Sequence, residues 1–308
     1  MTETGSSEIA VFVFSGTGNT LKCAEYLCKE LNSVGAKASL YKVESGREDF
    51  SEVIAATSVA VICYPVHGFN APYNIVDFVK KWNRSDADSS KSVYFLKTSG
   101  EPLKLNDNSS NALRKRLVKK GYRCLGEYHY VMPYNMIFRH SDEMAAKMWN
   151  TAKERIKIAA QEIAALKPRR KRTPVSAFLM SGICKIERFG MRLSGKFYKV
   201  DTAKCIRCEQ CVSACPVHNV SVKGGKFKFG NHCIGCMRCS FNCPQNAIKI
   251  GLLNFMKVNG RYDFSADSKR AKIGKYCRKA YVRYFYGDAD KTQEIKDQKF
   301  KKKKEKNK

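Results

Sequence analysis

VFVFSGTGNT, residues Val11–Thr20, decides how the first half of this 308-residue chain is read. A run of β-branched and aromatic residues breaks at Ser15-Gly16-Thr17-Gly18, and Asn19-Thr20 then open an apolar pattern with helical spacing. A strand that runs through a glycine turn into a helix gathers backbone N–H groups at one point, where they can solvate an anion. A nucleoside-triphosphate loop needs Lys after its last Gly, and a dinucleotide fingerprint needs Gly or Ala where Leu21 stands. Neither is present. The stretch is either an ordinary tight turn or a cradle in which the hydroxyls of Ser15, Thr17 and Thr20 join the backbone of Gly16, Gly18 and Asn19 around a phosphate.

Outward from this turn, apolar strand patterns recur at 8–14, 36–43, 58–65, 91–98 and 122–131. Helical patterns fill the gaps at 19–34, 72–81 and 109–120, and a long one at 141–166 has no interior Gly or Pro. Strands alternating with helices predict an α/β fold, a parallel sheet covered on both faces with ligands bound at the carboxyl ends of its strands. The loops of interest are therefore 15–20, 66–71, 99–102 and 132–140.

On these residues the segment 8–166 resembles the flavodoxin family along its whole length. The resemblance implies a doubly wound parallel sheet of order 2-1-3-4-5 that binds FMN. It places the FMN phosphate on Ser15, Gly16, Thr17, Gly18, Asn19 and Thr20. The flavin ring would lie against Pro65, Val66, His67, Gly68, Phe69 and Asn70, and against Thr98, Ser99 and Gly100 with Glu101 beside them. Flavodoxins commonly flank the ring with Trp or Tyr. Here the loops offer His67 and Phe69 while Trp82 and Trp149 lie outside them, and Phe69 serves as a flavin wall or as a core plug.

The second half carries CIRCEQCVSACP (205–216) and CIGCMRCSFNCP (233–244), the same C-x2-C-x2-C-x3-C-P run repeated 28 residues later. Zinc sites favour two Cys pairs separated by a longer span, so four cysteines within eleven residues point to iron–sulfur cubanes. In this pattern the fourth Cys of each run serves the other cluster. The spacing resembles that of bacterial-type ferredoxins, and the resemblance implies that one [4Fe–4S] cluster would take Cys205, Cys208, Cys211 and Cys243, and the other Cys233, Cys236, Cys239 and Cys215. Residues 201–251 resemble the two-cluster ferredoxins, a small α+β domain. The order of the two halves resembles flavodoxin/ferredoxin fusion proteins of anaerobes. The six other cysteines read as small core residues.

Charge is divided unevenly. Residues 1–130 hold 17 Lys and Arg against 14 Asp and Glu, a net of +3; the remainder of the +29 total, +26, lies in residues 131–308. Ferredoxins are typically acidic, yet residues 201–251 hold seven cations (Lys204, Arg207, Lys223, Lys226, Lys228, Arg238, Lys249) against Asp201 and Glu209. That face predicts an acidic ferredoxin or flavodoxin as partner. The layout expected is a flavin domain at 1–166, a basic linker or strap at 167–200, the ferredoxin unit at 201–251 and a basic extension at 252–308.

Several stretches admit two readings. The run LKPRRKRTP (166–174) is a solvated linker or a nuclear-localisation run. Phe178–Tyr198 is a strap against the flavin domain or an amphipathic segment on a membrane surface. YCRKAYVRYFYG (276–287) is a docked helix or, with the lysine-rich tail, a nucleic-acid contact. An acidic, polar N-terminus and the absence of a spanning apolar stretch predict a cytoplasmic protein.

The function expected is electron transfer between the clusters and FMN, joining one-electron to two-electron steps. The alternative is a flavin-dependent reductase that passes the electrons to a small acceptor such as a quinone. No nucleophile with a partnered base is evident.

Overall fold

The computed structural model describes residues 8–85, 91–169 and 173–287, with the backbone alone for 185–189. Its first half alternates strand and helix: β1 (Glu8–Val13), α1 (Asn19–Ser33), β2 (Lys37–Lys42), α2 (Ser51–Ala56), β3 (Val59–Pro65), α3 (Tyr73–Lys81), β4 (Ser92–Ser99), α4 (Asn111–Lys119), β5 (Arg123–Val131) and α5 (Asp142–Ala164). The five strands form one sheet in the order β2-β1-β3-β4-β5, and every adjacent pair is parallel. This is the doubly wound order expected from the sequence.

Period-2 side-chain alternation divides the core into two layers. Ile9, Val11 and Val13 face α1 and α5, together with Val61, Leu96 and Ile156. Ala10, Phe12 and Phe14 face the other way and pack with Ile62, Phe78, Trp82 and Leu117. Trp82 is therefore core, ringed by Phe12, Phe78 and Tyr122. Ser141 caps α5 by accepting from the Met144 N–H at 3.2 Å, and Asp142 and Glu143 in its first turn suit the positive end of the helix dipole.

The second half is a small α+β unit. After α6 (Val175–Ser194) come β6 (Lys199–Val200), α7 (Gln210–Ser213), β7 (Val220–Lys223), β8 (Lys226–Phe229), α8 (Arg238–Phe241) and β9 (Ile248–Lys249). Strand β6 pairs antiparallel with β9, and β7 with β8. The β7–β8 turn is Gly224-Gly225 with φ of 56° and 69°, the left-handed pair that a two-residue hairpin turn requires. The 28-residue repeat is visible in the backbone: Arg207 and Gly235, Glu209 and Met237, and His218 and Asn246 all take positive φ.

The extension folds back over the flavodoxin-like half. Residues 276–287 contain helix α9 (Arg278–Tyr286), whose Tyr281 is buried against Val131, Met144 and Met148. Tyr284 Oη accepts from the Val131 N–H at 3.1 Å. The stretch with two readings is thus a docked helix, and the tail 288–308 lies outside the described residues. Part of the linker is also ordered. Arg169 pairs its backbone with the free edge of β5, its N–H donating to Leu125 O at 2.9 Å, which covers an edge otherwise open to pairing. Its neighbours 170–172 lie outside the described residues.

One polar group in the core supports a loop near the cleft. Lys97 on β4 is fully buried, donates to Asn106 O at 3.0 Å and Asp107 O at 3.2 Å, and pairs with Glu127 of β5 at 3.2 Å. Those carbonyls belong to the 3-10 segment Lys104–Ser110, on which α6 rests. Lys97→Ala should leave the Asn106 and Asp107 carbonyls unpaired and take the cation from the partly buried Glu127 carboxylate, costing about 3–5 kcal/mol in urea unfolding. Lys97→Met combined with Glu127→Gln should cost clearly less than the two single changes added together. Additive losses would contradict this reading of the pair.

Candidate functional site

The loops after β1, β3 and β4 converge on a cleft of about 550 Å³. Its wall includes Ser15, Gly16, Thr17, Asn19, Thr20, Pro65, Val66, His67, Gly68, Phe69, Thr98, Ser99, Gly100 and Glu101. Thirteen of the fifteen residues expected to touch the flavin thus meet in one place. The other two serve the loops from behind. Gly18 takes φ 101° to turn the chain into α1, and its N–H donates to Ser15 Oγ at 3.1 Å. Asn70 is buried and points at α6, exchanging hydrogen bonds with Ser181: Nδ2 to Ser181 O at 3.1 Å, and Ser181 Oγ to Oδ1 at 2.8 Å.

The first turn of α1 has no side-chain cap and no acidic residue, so its N–H groups remain available to an anion. Thr20 Oγ1 and Thr98 Oγ1 lie 2.7 Å apart and tie the first loop to the third. Residues 67–70 close a tight turn through paired His67 and Asn70 backbone bonds of 2.9 Å, with Gly68 at φ 49° and Phe69 at φ 56°. A left-handed phenylalanine is strained, and the turn sets that ring on the cleft wall rather than in the core.

The structure adds residues that the sequence did not single out. Tyr134 lies so close to Gly100 that a Cβ there would fall inside its ring, and its Oη donates to the buried Glu101 carboxylate. Burial raises Glu101 above the usual carboxylate range, against the opposing pull of its bonds to Tyr134 and Asn106. Tyr276, from the extension, also lines the cleft. Of the nine methionines in the chain, Met132, Met136, Met191, Met237 and Met256 line it too, an adaptable apolar wall. Tyr134 could have been suspected, since it stands in the loop 132–140 at a strand end; Tyr276 stands 176 positions from Gly100 and carried no signal.

The cysteines divide into two sets. One small cavity is lined by Cys205, Cys208, Cys211 and Cys243, with Phe227 and Ile248. A second is lined by Cys215, Cys233, Cys236 and Cys239, with Tyr198 and Phe229. Backbone N–H groups donate to sulfur at equivalent points of the repeat: Arg207 to Cys205 at 3.4 Å and Gly235 to Cys233 at 3.4 Å, then Asn219 to Cys215 at 3.1 Å and Ala247 to Cys243 at 3.2 Å. Among the described residues no three His, Cys, Asp or Glu side chains converge for a single ion. Tetrahedral zinc would need thiolates roughly 3.8 Å apart around one point, given Zn–S bonds of about 2.3 Å. Sulfurs arranged around a cavity instead suit a multi-iron group. Burial pushes Cys236 up to about 12 and Cys211 up to about 11, and the other thiolates of the same set push in the same direction. Such thiolates need cationic metal among them, so the donor chemistry fits.

The two sets differ in position. Cys208 is exposed, whereas Cys236 is buried beside the first loop. A Cβ on Gly16 would fall on the carbonyl oxygen of Cys236, so glycine alone permits this approach. Arg238 secures it. Its guanidinium donates to Ser15 O at 2.8 Å, Gly16 O at 3.2 Å and Ala214 O at 3.1 Å, and pairs with Glu44 at 2.6 Å. The first loop does have a cation after all, delivered from the other half of the chain to its carbonyl side.

Residues 198–220 and 230–249 match the 4Fe-4S binding domain family, Fer4. No curated protein matches the chain. Among solved structures, a flavodoxin from Streptococcus pneumonia TIGR4 is 16% identical over 51% of this chain and 97% of its own, with a TM-score of 0.36. A WrbA-like flavodoxin from Agrobacterium tumefaciens is 19% identical over 52% and 98%, with a TM-score of 0.38. Rubredoxin oxygen:oxidoreductase from Desulfovibrio gigas is 16% identical over 52% and 36%, with a TM-score of 0.37. At such values these likenesses say nothing of activity. The sheet order and the family match define the class: a flavodoxin-like domain fused to a ferredoxin-type 4Fe-4S domain, an electron-transfer architecture. Among the described residues no helix is long and apolar enough to cross a membrane.

Two outcomes follow from this geometry. Gly16→Ala should force the first loop from Cys236 and weaken flavin retention at least about tenfold, because a backbone carbonyl cannot yield as a side chain can; retention equal to the parent would contradict the contact. His140, stacked on Tyr134, is lowered to about 4 by burial. Its folded value lies below the unfolded value of about 6.5. The stability it contributes is therefore complete above pH 6.5 and lost as pH falls toward 4. His140→Gln should flatten that part of the stability profile, and an unchanged profile would contradict the assignment.

Proposed function

We propose that this chain passes single electrons from an external redox protein through two [4Fe–4S] clusters to FMN. The observation that carries the reading is the placement of Cys236 against Gly16: one cysteine set adjoins the flavin loops while the other reaches the surface. Bound FMN would supply a centre that accepts one or two electrons, joining the single-electron chemistry of the cubanes to paired chemistry. Cys215, Cys233, Cys236 and Cys239 would hold the inner cluster, with Tyr198 shielding it from water. Cys205, Cys208, Cys211 and Cys243 would hold the outer one. The N–H groups donating to sulfur and the cations nearby both favour the reduced form.

The chain's own residues then define the route. Exposed Lys204, Arg207, Lys223, Lys226 and Lys228 cluster near the outer set: Phe227 of the same hairpin lines its cavity, and Arg207 Nη1 lies close to the hairpin turn at Gly225. An acidic ferredoxin or flavodoxin fits this face. At the other end, Ser15–Thr20 would bind the phosphate, and the turn 67–70 with Thr98–Gly100 would orient the ring. Arg238 fixes the distance between loop and inner set.

A second reading has support of its own. The methionine-rich wall suits a small apolar acceptor that meets the flavin directly, such as a quinone.

Stopped-flow mixing of the intact holoprotein with a reduced acidic ferredoxin tests the main reading. Flavin reduction should slow as salt rises, and Lys223→Glu with Lys226→Glu should slow it about tenfold at low salt. Cys208→Ser should block reduction by the protein donor. A rate indifferent to salt and to all three substitutions would overturn the proposal.

A further inference from the structure

Helix α6 is turned inside out. At 100° per residue, Ala177 and Ser181 lie on one side, and both are buried against the flavodoxin-like half, Ser181 through its two bonds to Asn70. Val175, Leu179, Ile183 and Leu193 fall within about 80° of one another on the opposite side, and all four are exposed. A helix in a globular protein ordinarily buries its apolar stripe; this one anchors itself by its small and polar face and presents the stripe to solvent.

The patch continues beyond the helix. The 3-10 segment Gly251–Met256 lies against Phe197, which is itself exposed. From this segment Leu252 and Phe255 stand out at 93% and 82% exposure, so they form a crest rather than a groove. Eight of the sixteen large apolar side chains exposed among the described residues fall within 175–197 and 252–255. Cations lie near them in the chain: Lys196, Lys199 and Lys249 are exposed, Lys249 being paired with Asp201 at 3.3 Å.

We propose that this face seats the protein on an anionic lipid bilayer as a peripheral, non-spanning contact. A protruding apolar crest beside cations matches a plane of acyl chains beneath negative headgroups. A protein partner would more often ask for a pocket around such anchors. The same two segments turn Met191, Leu253 and Met256 inward to line the cleft. One layer of side chains therefore separates the flavin site from the lipid-facing surface, which suits an acceptor dissolved in the bilayer.

Vesicle flotation of the full-length holoprotein tests this without reading electron transfer, so its failure leaves the proposed route untouched. Vesicles of phosphatidylcholine with phosphatidylglycerol should carry the protein upward, and phosphatidylcholine alone should do so poorly. Some binding should survive about 0.5 M salt, where screening removes most headgroup attraction. Leu252→Glu with Phe255→Glu, which leaves every lysine of the tail in place, should lower the partition coefficient at least about tenfold. Retained iron and flavin absorbance would show that this variant is folded. Three results would overturn the proposal: no flotation of the parent, flotation unchanged by the double substitution, or sedimentation showing that the substitutions instead split a dimer of this chain.

Discussion

The approach of Gly16 to the Cys236 carbonyl is the constraint on which the rest of the structure depends. It allows the first flavodoxin-like loop and the second cysteine run to share a boundary with no side chain between them. Arg238 converts that proximity into a fixed geometry. Its fork is planar and five-donor, and here it spans three carbonyls and one carboxylate from three separate segments. A lysine could not reproduce this, because its single ammonium cannot address so many acceptors in one plane.

That junction also bears on where the cysteine unit carries its own seven cations. The inner cysteine set is half-buried to buried, with no exposed member, while the outer set includes exposed Cys208 and lies beside the lysine-bearing hairpin. The basic character that separates this unit from an ordinary ferredoxin is thus concentrated where an outside protein could reach a cluster. The extension completes the arrangement from the opposite side. Tyr281 donates to Gly100 O, Tyr262 donates to Tyr134 O at 2.7 Å, and Arg139 reaches the carbonyls of Gly260 and Arg261. Residues 252–287 therefore act as a buttress for the loops of the cleft.

The legible parts of the sequence were those governed by local rules. The parallel sheet followed from alternating strand and helix patterns, its order from the resemblance to flavodoxins, and the first-loop turn from glycine and hydroxyl spacing. The division of the eight cysteines followed from the resemblance of the repeated run to bacterial-type ferredoxins. What escaped were contacts between residues far apart in the chain. Arg238 carries no mark that its guanidinium meets Ser15 and Gly16, and Tyr276 none that its ring enters the cleft formed by the loops after β1, β3 and β4. Helix α6 was read as an amphipathic segment with two alternatives, strap or surface contact. Periodicity locates an apolar stripe but not the side that faces the protein, and here small residues took the inward side. The short helix α2 and the 3-10 segment Lys104–Ser110 escaped for another reason: six and seven residues give too few turns for a period to show.

The central claim is that one chain holds two cubanes beside one flavin. Anaerobic purification followed by iron, acid-labile sulfide and flavin assay tests it most directly. The account predicts about eight irons, about eight sulfides and one FMN per chain. A colourless protein, or one that contains zinc alone, would contradict it.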